Sequence, residues 1–433
     1  MAKKKKAVGA TARAGASARS TKGRGRGGGR GGRGESGPFV PTPADRFTFG
    51  LWTVGNVGRD PFGEATRPRW SPAEIVELLG EVGGVHGVNL HDNDLVPIDA
   101  GEAEAAAIKR EFRSALRRER LRVCMVTANL FSDPAFRDGA FTSNDADVRA
   151  YAVAKSMRCM DLGAEFGAKV YVLWGGREGV ETDAAKDPVL AIRRFRVAVD
   201  ALCRYSIEKG YGYRLALEAK PNEPRGHMCF PTTGHYLALI PTLAHPAMVG
   251  VNPEVAHEHM AGLNFVHAVA MAIEAKKLFH IDLNDQEFGR YDQDFRFGSA
   301  NLKHAFFLVK LLEGHRYKGF KHFDSHAYRT ADRRDVVAFA RGSMRTYLIL
   351  KDKARRWGED PVVRRLLREM GMPNAEGAEG NAEGAKGAKR VGGVGLPSAA
   401  ALPRTEFDRG ALARRRLAYE ELDQRTMEIL MGV

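Results

Sequence analysis

The sequence predicts an α/β protein built on a (β/α)8 TIM barrel, with a disordered basic N-terminal tail and a helical C-terminal arm. Apolar runs of strand length alternate with stretches of helical period, which is the pattern of a parallel sheet. There are eight such runs, and the 278 residues from Phe47 to Asp324 allow about 35 residues for each strand, helix and two loops. Acidic side chains follow the last four runs, where the ends of parallel strands converge if the sheet closes.

The eight runs define the predicted strands. In chain order they are FTFGLW, GVNLHD, LRVCMVTANL, KVYVLW, YRLALE, MVGVNPEVAH, KLFHIDLN and FKHFD. The catalytic barrel is therefore predicted over residues 39–335, and a helical extension over residues 336–372.

The ends of the chain differ from the barrel in composition. Residues 1–38 hold eleven Lys and Arg against one Glu, so 11 minus 1, or +10, of the net charge of +14 lies there. This Gly- and Arg-rich tail has no aliphatic run to offset its chain entropy, so we expect disorder and weak nonspecific contact with nucleic acid. Residues 373–403 repeat Ala, Glu and Gly and predict a flexible linker. Residues 404–433 have helical spacing and predict an arm that docks on a surface.

Composition excludes several classes of protein. No run approaches the roughly 18 apolar residues of a membrane span, and no apolar core follows the basic N-terminus as in a secretory signal. The four cysteines lie far apart without CxxC spacing, which argues against a zinc knot and a disulfide framework. The sequence therefore predicts a cytoplasmic protein without a membrane segment.

Seven side chains that can bind metal follow the last four runs. They are Glu218, Glu254, His257, Asp282, Asp292, Asp294 and Asp324. Six carboxylates and one imidazole in one place repel one another, so such a site needs cations to be stable. The residue types suit Mg²⁺ or Mn²⁺, and the single His also admits Co²⁺ or Zn²⁺. The sequence predicts an enzyme with two divalent cations in each subunit.

Ten strings in one order carry a specific resemblance. They are FTFGLWTVG, GRDPFG, HDNDL, TANLF, WGGREG, KPNEPRG, GVNPEVAHEHMAGLNF, FHIDLN, YDQDFRFG and HFD. In these strings the chain resembles the xylose isomerase family, of the shorter actinobacterial type, from about residue 41 to about residue 360 and again in YEELDQRTMEIL. The resemblance implies interconversion of D-xylose and D-xylulose, and of D-glucose and D-fructose, by ring opening and a metal-assisted 1,2-hydride shift. It also implies a homotetramer in which the C-terminal arm embraces a neighbouring subunit.

The same resemblance implies a function for each motif residue. The first cation is expected on Glu218, Glu254, Asp282 and Asp324, and the second on Glu254, His257, Asp292 and Asp294. Lys220 is expected to stabilise charge at O1 of the sugar, and His91 to catalyse ring opening with Asp94 fixing its tautomer. The substrate pocket is expected to be walled by Trp52, Phe131 and Trp174, with Phe62 lent to a neighbouring subunit's site.

Two positions depart from the family's pattern, and two other classes of function remain open. His326 in FDSH stands where the family commonly has a lysine, which is expected to pair with the acid at Glu223, and Ala219 replaces a proline. These changes are expected to alter the local charge and stiffness without removing a ligand. One alternative is another divalent-metal barrel, either a sugar epimerase or an apurinic-site endonuclease, although the latter would need more histidines. The other is a nucleic-acid-binding protein on an inactive barrel, which would need a broken ligand set.

Overall fold

The computed structural model of the chain describes residues 37–371, 403 and 406–433. The predicted basic tail, except for its last two residues, and nearly all of the predicted linker lie outside the described residues. Within the described ranges, no helix is both long and apolar enough to cross a membrane.

The described strands form one curled parallel sheet and one small hairpin. In chain order they are β1 (Phe47–Gly50), β2 (Gly87–His91), β3 (Arg122–Thr127), β4 (Val170–Trp174), β5 (Gly179–Val180), β6 (Arg214–Glu218), β7 (His227–Met228), β8 (Val249–Val251) and β9 (Lys321–Phe323). The described part of the sheet has seven strands in the order β8-β6-β4-β3-β2-β1-β9, with every neighbouring pair parallel. The short strands β5 and β7 pair with each other, antiparallel.

The gap between β8 and β9 is closed by the seventh predicted run. Single parallel bridges join Leu278 to Val251, and Asp282 to both Glu254 and His322. No regular strand forms there, because Pro253 on the β8 side has no N–H to continue the ladder. The eight predicted runs therefore close into a barrel with seven regular strands and one bridged segment, and the predicted fold class is confirmed.

Helices separate the strands and cover the barrel. They are α1 (Leu51–Val54), α2 (Pro72–Val82), α3 (Asp92–Leu95), α4 (Glu102–Glu119), α5 (Ala146–Glu165), α6 (Pro188–Glu208), α7 (Thr233–Leu239), α8 (Val255–Met260), α9 (Phe265–Glu274), α10 (Leu302–Gly314), α11 (Arg333–Glu359), α12 (Pro361–Glu369), α13 (Arg409–Ala413) and α14 (Tyr419–Met431). Several of these helices begin at a capping residue that accepts hydrogen bonds from the first turn. At α2, for example, the Ser71 hydroxyl accepts from the Glu74 backbone N–H, and the Glu74 carboxylate accepts from the Ser71 backbone N–H.

The C-terminal helix α14 packs on α11 and α12 of its own chain. The Trp357 indole N–H donates to the Thr426 hydroxyl at 2.9 Å, and the Arg425 guanidinium lies 2.8 Å from the Asp360 carboxylate. The long helix α11 begins at Arg333, so the predicted boundary at residue 335 falls within its first turn.

The barrel strands are buried along nearly their whole length, as expected for a parallel sheet covered by helices. One glycine in β1 has a steric reason. A Cβ at Gly50 would lie 2.6 Å from the indole of Trp52, so only glycine lets this side chain fold back over the mouth of the barrel.

Candidate metal centre

The seven predicted metal-binding side chains lie together at the carboxyl end of the barrel. Glu218 is the last residue of β6, Asp324 follows β9, and Glu254 caps α8, which also carries His257. Three overlapping groups have ligand atoms within 4.8 Å of one another and can hold a metal ion. They are Glu218, Glu254 and His257; Glu254, Asp292 and Asp294; and Glu254, Asp282 and Asp324. Glu254 belongs to all three groups, so its carboxylate is the common point of the cluster.

Two asparagine amides hold these carboxylates in pairs. The Asn252 side-chain NH₂ donates to Glu218 at 2.9 Å and to Asp282 at 2.7 Å. The Asn284 side-chain NH₂ donates to Glu254 at 2.7 Å and to Asp294 at 2.9 Å. Strand parity places Asn252 on the same face as Glu254 and Asn284 on the same face as Asp282, but it does not by itself assign the amides to the site. They hold the carboxylates in place from behind, as supporting residues of metal sites commonly do.

The carboxyls differ in their affinity for protons. Burial, followed by the charges of neighbouring carboxylates, raises the pKa of Glu218, Glu254 and Asp294 well above the usual range and that of Asp324 to about 8. Burial alone would also raise the pKa of Asp292, but the charges of Lys220 and His257 hold it below its ordinary value. Several of these carboxyls therefore favour a proton, which a bound cation could replace.

Buried atoms of the cluster also lack a hydrogen-bond partner among the described residues. Asp292 Oδ1 is one of them, and His257 Nδ1 is another, since the Glu218 carboxylate lies 3.8 Å from it, beyond hydrogen-bond reach. Buried polar atoms are rarely left without a partner, and a metal ion satisfies such atoms as well as a hydrogen bond does. The donor set of carboxylates and one imidazole therefore fits a divalent cation.

Lys220 borders the acidic cluster. Its ammonium lies 2.6 Å from the Asp292 carboxylate and 3.5 Å from that of Glu223. Burial would lower the pKa of Lys220, but the charge of Asp292 outweighs it and raises the pKa above its usual value. The acid Glu223 thus has Lys220 as its cationic neighbour in this chain. His326, at the position of the family's lysine, donates its backbone N–H to the Asp294 carbonyl at 3.1 Å.

His91, at the end of β2, and Asp94, in α3, form a second pair at this mouth. His91 Nδ1 lies 3.0 Å from Asp94 Oδ2, and the same oxygen accepts from the His91 backbone N–H at 2.8 Å. Burial lowers the pKa of His91, but the charges of Asp94, Asp324 and Asp92 together raise it above its ordinary value. The carboxylate of Asp94 therefore fixes both the ring orientation and the proton at Nδ1.

A row of aromatic rings connects this pair to the acidic cluster. The ring centroids of Trp52 and His91 lie 4.5 Å apart, those of His91 and Phe131 5.6 Å, and those of Phe131 and Trp174 4.6 Å, all edge to face. At one end of this row, the Trp52 indole N–H donates to Asp324 at 2.7 Å. At the other end, the Lys220 ammonium lies 5.5 Å from the centre of the Trp174 ring.

The structure does not bring Phe62 to this wall. Its side chain is fully exposed in the isolated subunit and touches no ring of the row. Of the fourteen residues predicted for the site, thirteen meet at one mouth of the barrel, and Phe62 stands apart.

The fold and the acidic centre together define a class of protein. A family model described as "Xylose isomerase-like TIM barrel" matches residues 76–346, which is more than half of the chain. The xylose isomerase of Thermus thermophilus is 54% identical over 395 residues, covering 91% of this chain and 99% of the relative. That of Thermus caldophilus is 53% identical with the same coverage. The chain belongs to the xylose isomerase family, and it is accordingly an aldose–ketose isomerase.

Solved structures show the same fold at much lower identity. D-psicose 3-epimerase from Clostridium cellulolyticum superposes with a TM-score of 0.53 at 11% identity, covering 71% of this chain and 99% of that one. A 3-keto-D-glucoside 4-epimerase from E. coli gives a TM-score of 0.50 at 16% identity, covering 69% and 99%. These similarities concern the barrel alone.

Proposed function

We propose that this chain interconverts D-xylose and D-xylulose, and also D-glucose and D-fructose, with two divalent cations of the Mg²⁺, Mn²⁺ or Co²⁺ type. One observation carries the proposal. A continuous row of contacts runs from Asp324 through Trp52, His91, Phe131 and Trp174 to Lys220 and Asp292, and so joins the acidic cluster to a His–Asp pair around one mouth. An isomerase of cyclic sugars needs both parts, because the ring must open before hydrogen can move between C1 and C2.

The cations would be held by the seven ligands, with Glu254 shared. As the resemblance implies, the first set would comprise Glu218, Glu254, Asp282 and Asp324, and the second Glu254, His257, Asp292 and Asp294. Each of these residues belongs to at least one of the three groups whose ligand atoms lie within 4.8 Å of one another. When bound, the cations neutralise negative charge on the sugar's O1 and O2. The paired amides of Asn252 and Asn284 keep the carboxylates oriented toward them.

The other residues bind, orient and protonate the sugar. His91, with its Nδ1 proton held by Asp94, exchanges a proton between its Nε2 and the ring or anomeric oxygen as the ring opens. Lys220, kept protonated by Asp292, directs its ammonium toward O1 and offsets charge developing there. Trp52, Phe131 and Trp174 present ring faces and edges to the carbon chain and exclude water.

The subunit is completed by its neighbours in the proposed homotetramer. The exposed ring of Phe62 would cover the mouth of a neighbouring subunit's site, as the resemblance implies. The four cysteines are free thiols, which suits the proposed cytoplasmic location, where disulfides are rare.

The direct test is an assay of purified full-length protein with D-xylose and Mg²⁺, followed by NMR of the product. Formation of D-xylulose that stops with a chelator and resumes with excess Mg²⁺ is the expected result. A product epimerised at C3, or the same rate in the presence of chelator, would contradict the proposal.

A further inference from the structure

A buried cation lies behind the His–Asp pair. Lys155, in the middle of α5, is 3% exposed, and a buried ammonium is stable only when it is paired and hydrogen-bonded. Its Nζ donates to the Asp92 carboxylate and, at 3.0 Å, to the side-chain carbonyl of Asn93. Both partners belong to α3, the turn that follows His91 and contains Asp94.

The second oxygen of Asp92 continues the connection to the aromatic wall. Asp92 Oδ1 accepts from the Asn129 backbone N–H at 2.8 Å. The Asn129 side-chain carbonyl in turn accepts from the backbone N–H groups of Phe131 at 3.3 Å and Ser132 at 3.0 Å. A path of hydrogen bonds thus leads from Lys155 through Asp92 and Asn129 to Phe131.

Lys155 therefore connects α5, on which it lies, to α3 and to the loop after β3. It fixes the turn after β2, which carries His91 and Asp94, relative to the loop after β3, which carries Phe131. The hydrogen bonds and ion pairs of Lys155 reach Asp92 and Asn93, and none reaches a metal-binding carboxylate. Its influence is thus directed to the side of the mouth where ring opening is proposed, away from the acidic cluster.

We propose that Lys155 is a positioning residue for ring opening, which holds His91 and Phe131 in working geometry through Asp92 and Asn129. This inference rests on the proposed function. Without the ammonium, Asp92 keeps a largely buried charge with no cation beside it, and the two loops lose their common anchor. Displacements of about 1 Å at a reacting group can cost about a hundredfold in rate, so the opening step is expected to slow.

The test compares Lys155→Met with the parent enzyme, using D-xylose and D-xylose deuterated at C2. Turnover of the variant should fall about ten- to a hundredfold. The primary isotope effect on kcat should shrink toward one, because ring opening replaces hydrogen transfer as the slow step. Calorimetric titration with Mn²⁺ should match the parent. Arg158→Met, on an exposed position of the same helix, is the matched control and should leave both kcat and the isotope effect unchanged.

Two further variants keep the test decisive if Lys155→Met folds poorly. Lys155→Arg should retain more activity than Lys155→Met, and the double variant Lys155→Met with Asp92→Asn should recover part of the loss, because the unpaired charge is gone. Normal turnover of Lys155→Met, or slow turnover with an isotope effect at least as large as the parent's, would overturn the inference. Absence of isomerase activity in the parent would instead refute the proposed function.

Discussion

Replacing Glu254 with glutamine should stabilise the metal-free protein and weaken its binding of divalent cations. Glu254 lies in all three acidic groups, whose ligand atoms are within 4.8 Å of one another. At an effective dielectric constant of about 20, two unit charges 4.8 Å apart repel by about 3.5 kcal/mol. Glutamine keeps the acceptor for the Asn284 amide but cannot ionise, so it removes up to that repulsion for each ionised neighbour.

The gain in stability of the metal-free variant depends on pH. A carboxyl whose pKa is higher in the fold than in the unfolded chain favours folding at low pH, and this contribution is lost as pH rises toward the folded-state pKa. Burial and neighbouring carboxylates raise the pKa of Glu254 in this way. In the presence of chelator, Glu254→Gln should therefore melt like the parent near pH 5 and several degrees higher near pH 9.

The affinity of the Glu254→Gln variant for divalent cations should be lower than that of the parent. Calorimetric titration with Mn²⁺ at pH 8 should show two events in the parent, and affinity at least about a hundredfold weaker in the variant, with turnover abolished. Glu258→Gln is the matched control, because Glu258 is equally buried on α8 but accepts from the Thr233 backbone N–H outside the three groups. Retention of both Mn²⁺ binding events together with activity in Glu254→Gln would contradict a shared ligand at Glu254.

Three further results are expected. Mn²⁺ affinity should fall as pH drops from about 8.5 to 6, because the pKa of Asp324 is raised to about 8 and a cation must then displace its proton. The expected decrease is about tenfold per pH unit for each proton displaced. A calorimetric affinity that does not depend on pH would contradict this prediction. Lys220→Met should lower kcat by about 10²–10³ while both Mn²⁺ binding events remain in calorimetry. A kcat within twofold of the parent would exclude a function at O1. Deleting residues 1–38 should leave kcat and KM unchanged while reducing retention on heparin, because +10 of the +14 net charge is lost. A large loss of activity would show that the tail is part of the catalytic unit.

Strand ends were the most predictable part of the molecule. Glu218 and Asp324 lie at the ends of β6 and β9, where apolar runs of strand length ended in the sequence. The seventh run was predicted as a strand and instead forms single bridges, because one proline in its neighbour interrupts the ladder. A run of apolar residues contains no information about the hydrogen-bonding capacity of its partner strand.

Contacts between distant segments could not be predicted in the same way. The amide of Asn252 links Glu218 to Asp282, and the amide of Asn284 links Glu254 to Asp294 in the loop after the seventh run. That geometry exists only after the barrel closes. The same holds for Lys155, whose position in a helix of ordinary composition gives no sign that its ammonium is buried against Asp92. The placement of Phe62 depends on neighbouring subunits, so neither the sequence nor an isolated subunit determines it.

The fate of the hydrogen at C2 tests the proposed hydride shift most directly. Two cations and Lys220 would offset charge at O1 and O2. The cluster's carboxylates would then all be engaged by cations, so none of them would be left to take a proton from C2. D-xylose deuterated at C2, incubated with Mg²⁺-loaded protein in ordinary water, should give D-xylulose that carries the deuterium at C1. Nearly complete loss of the label to solvent would show a base-catalysed proton transfer and contradict the account.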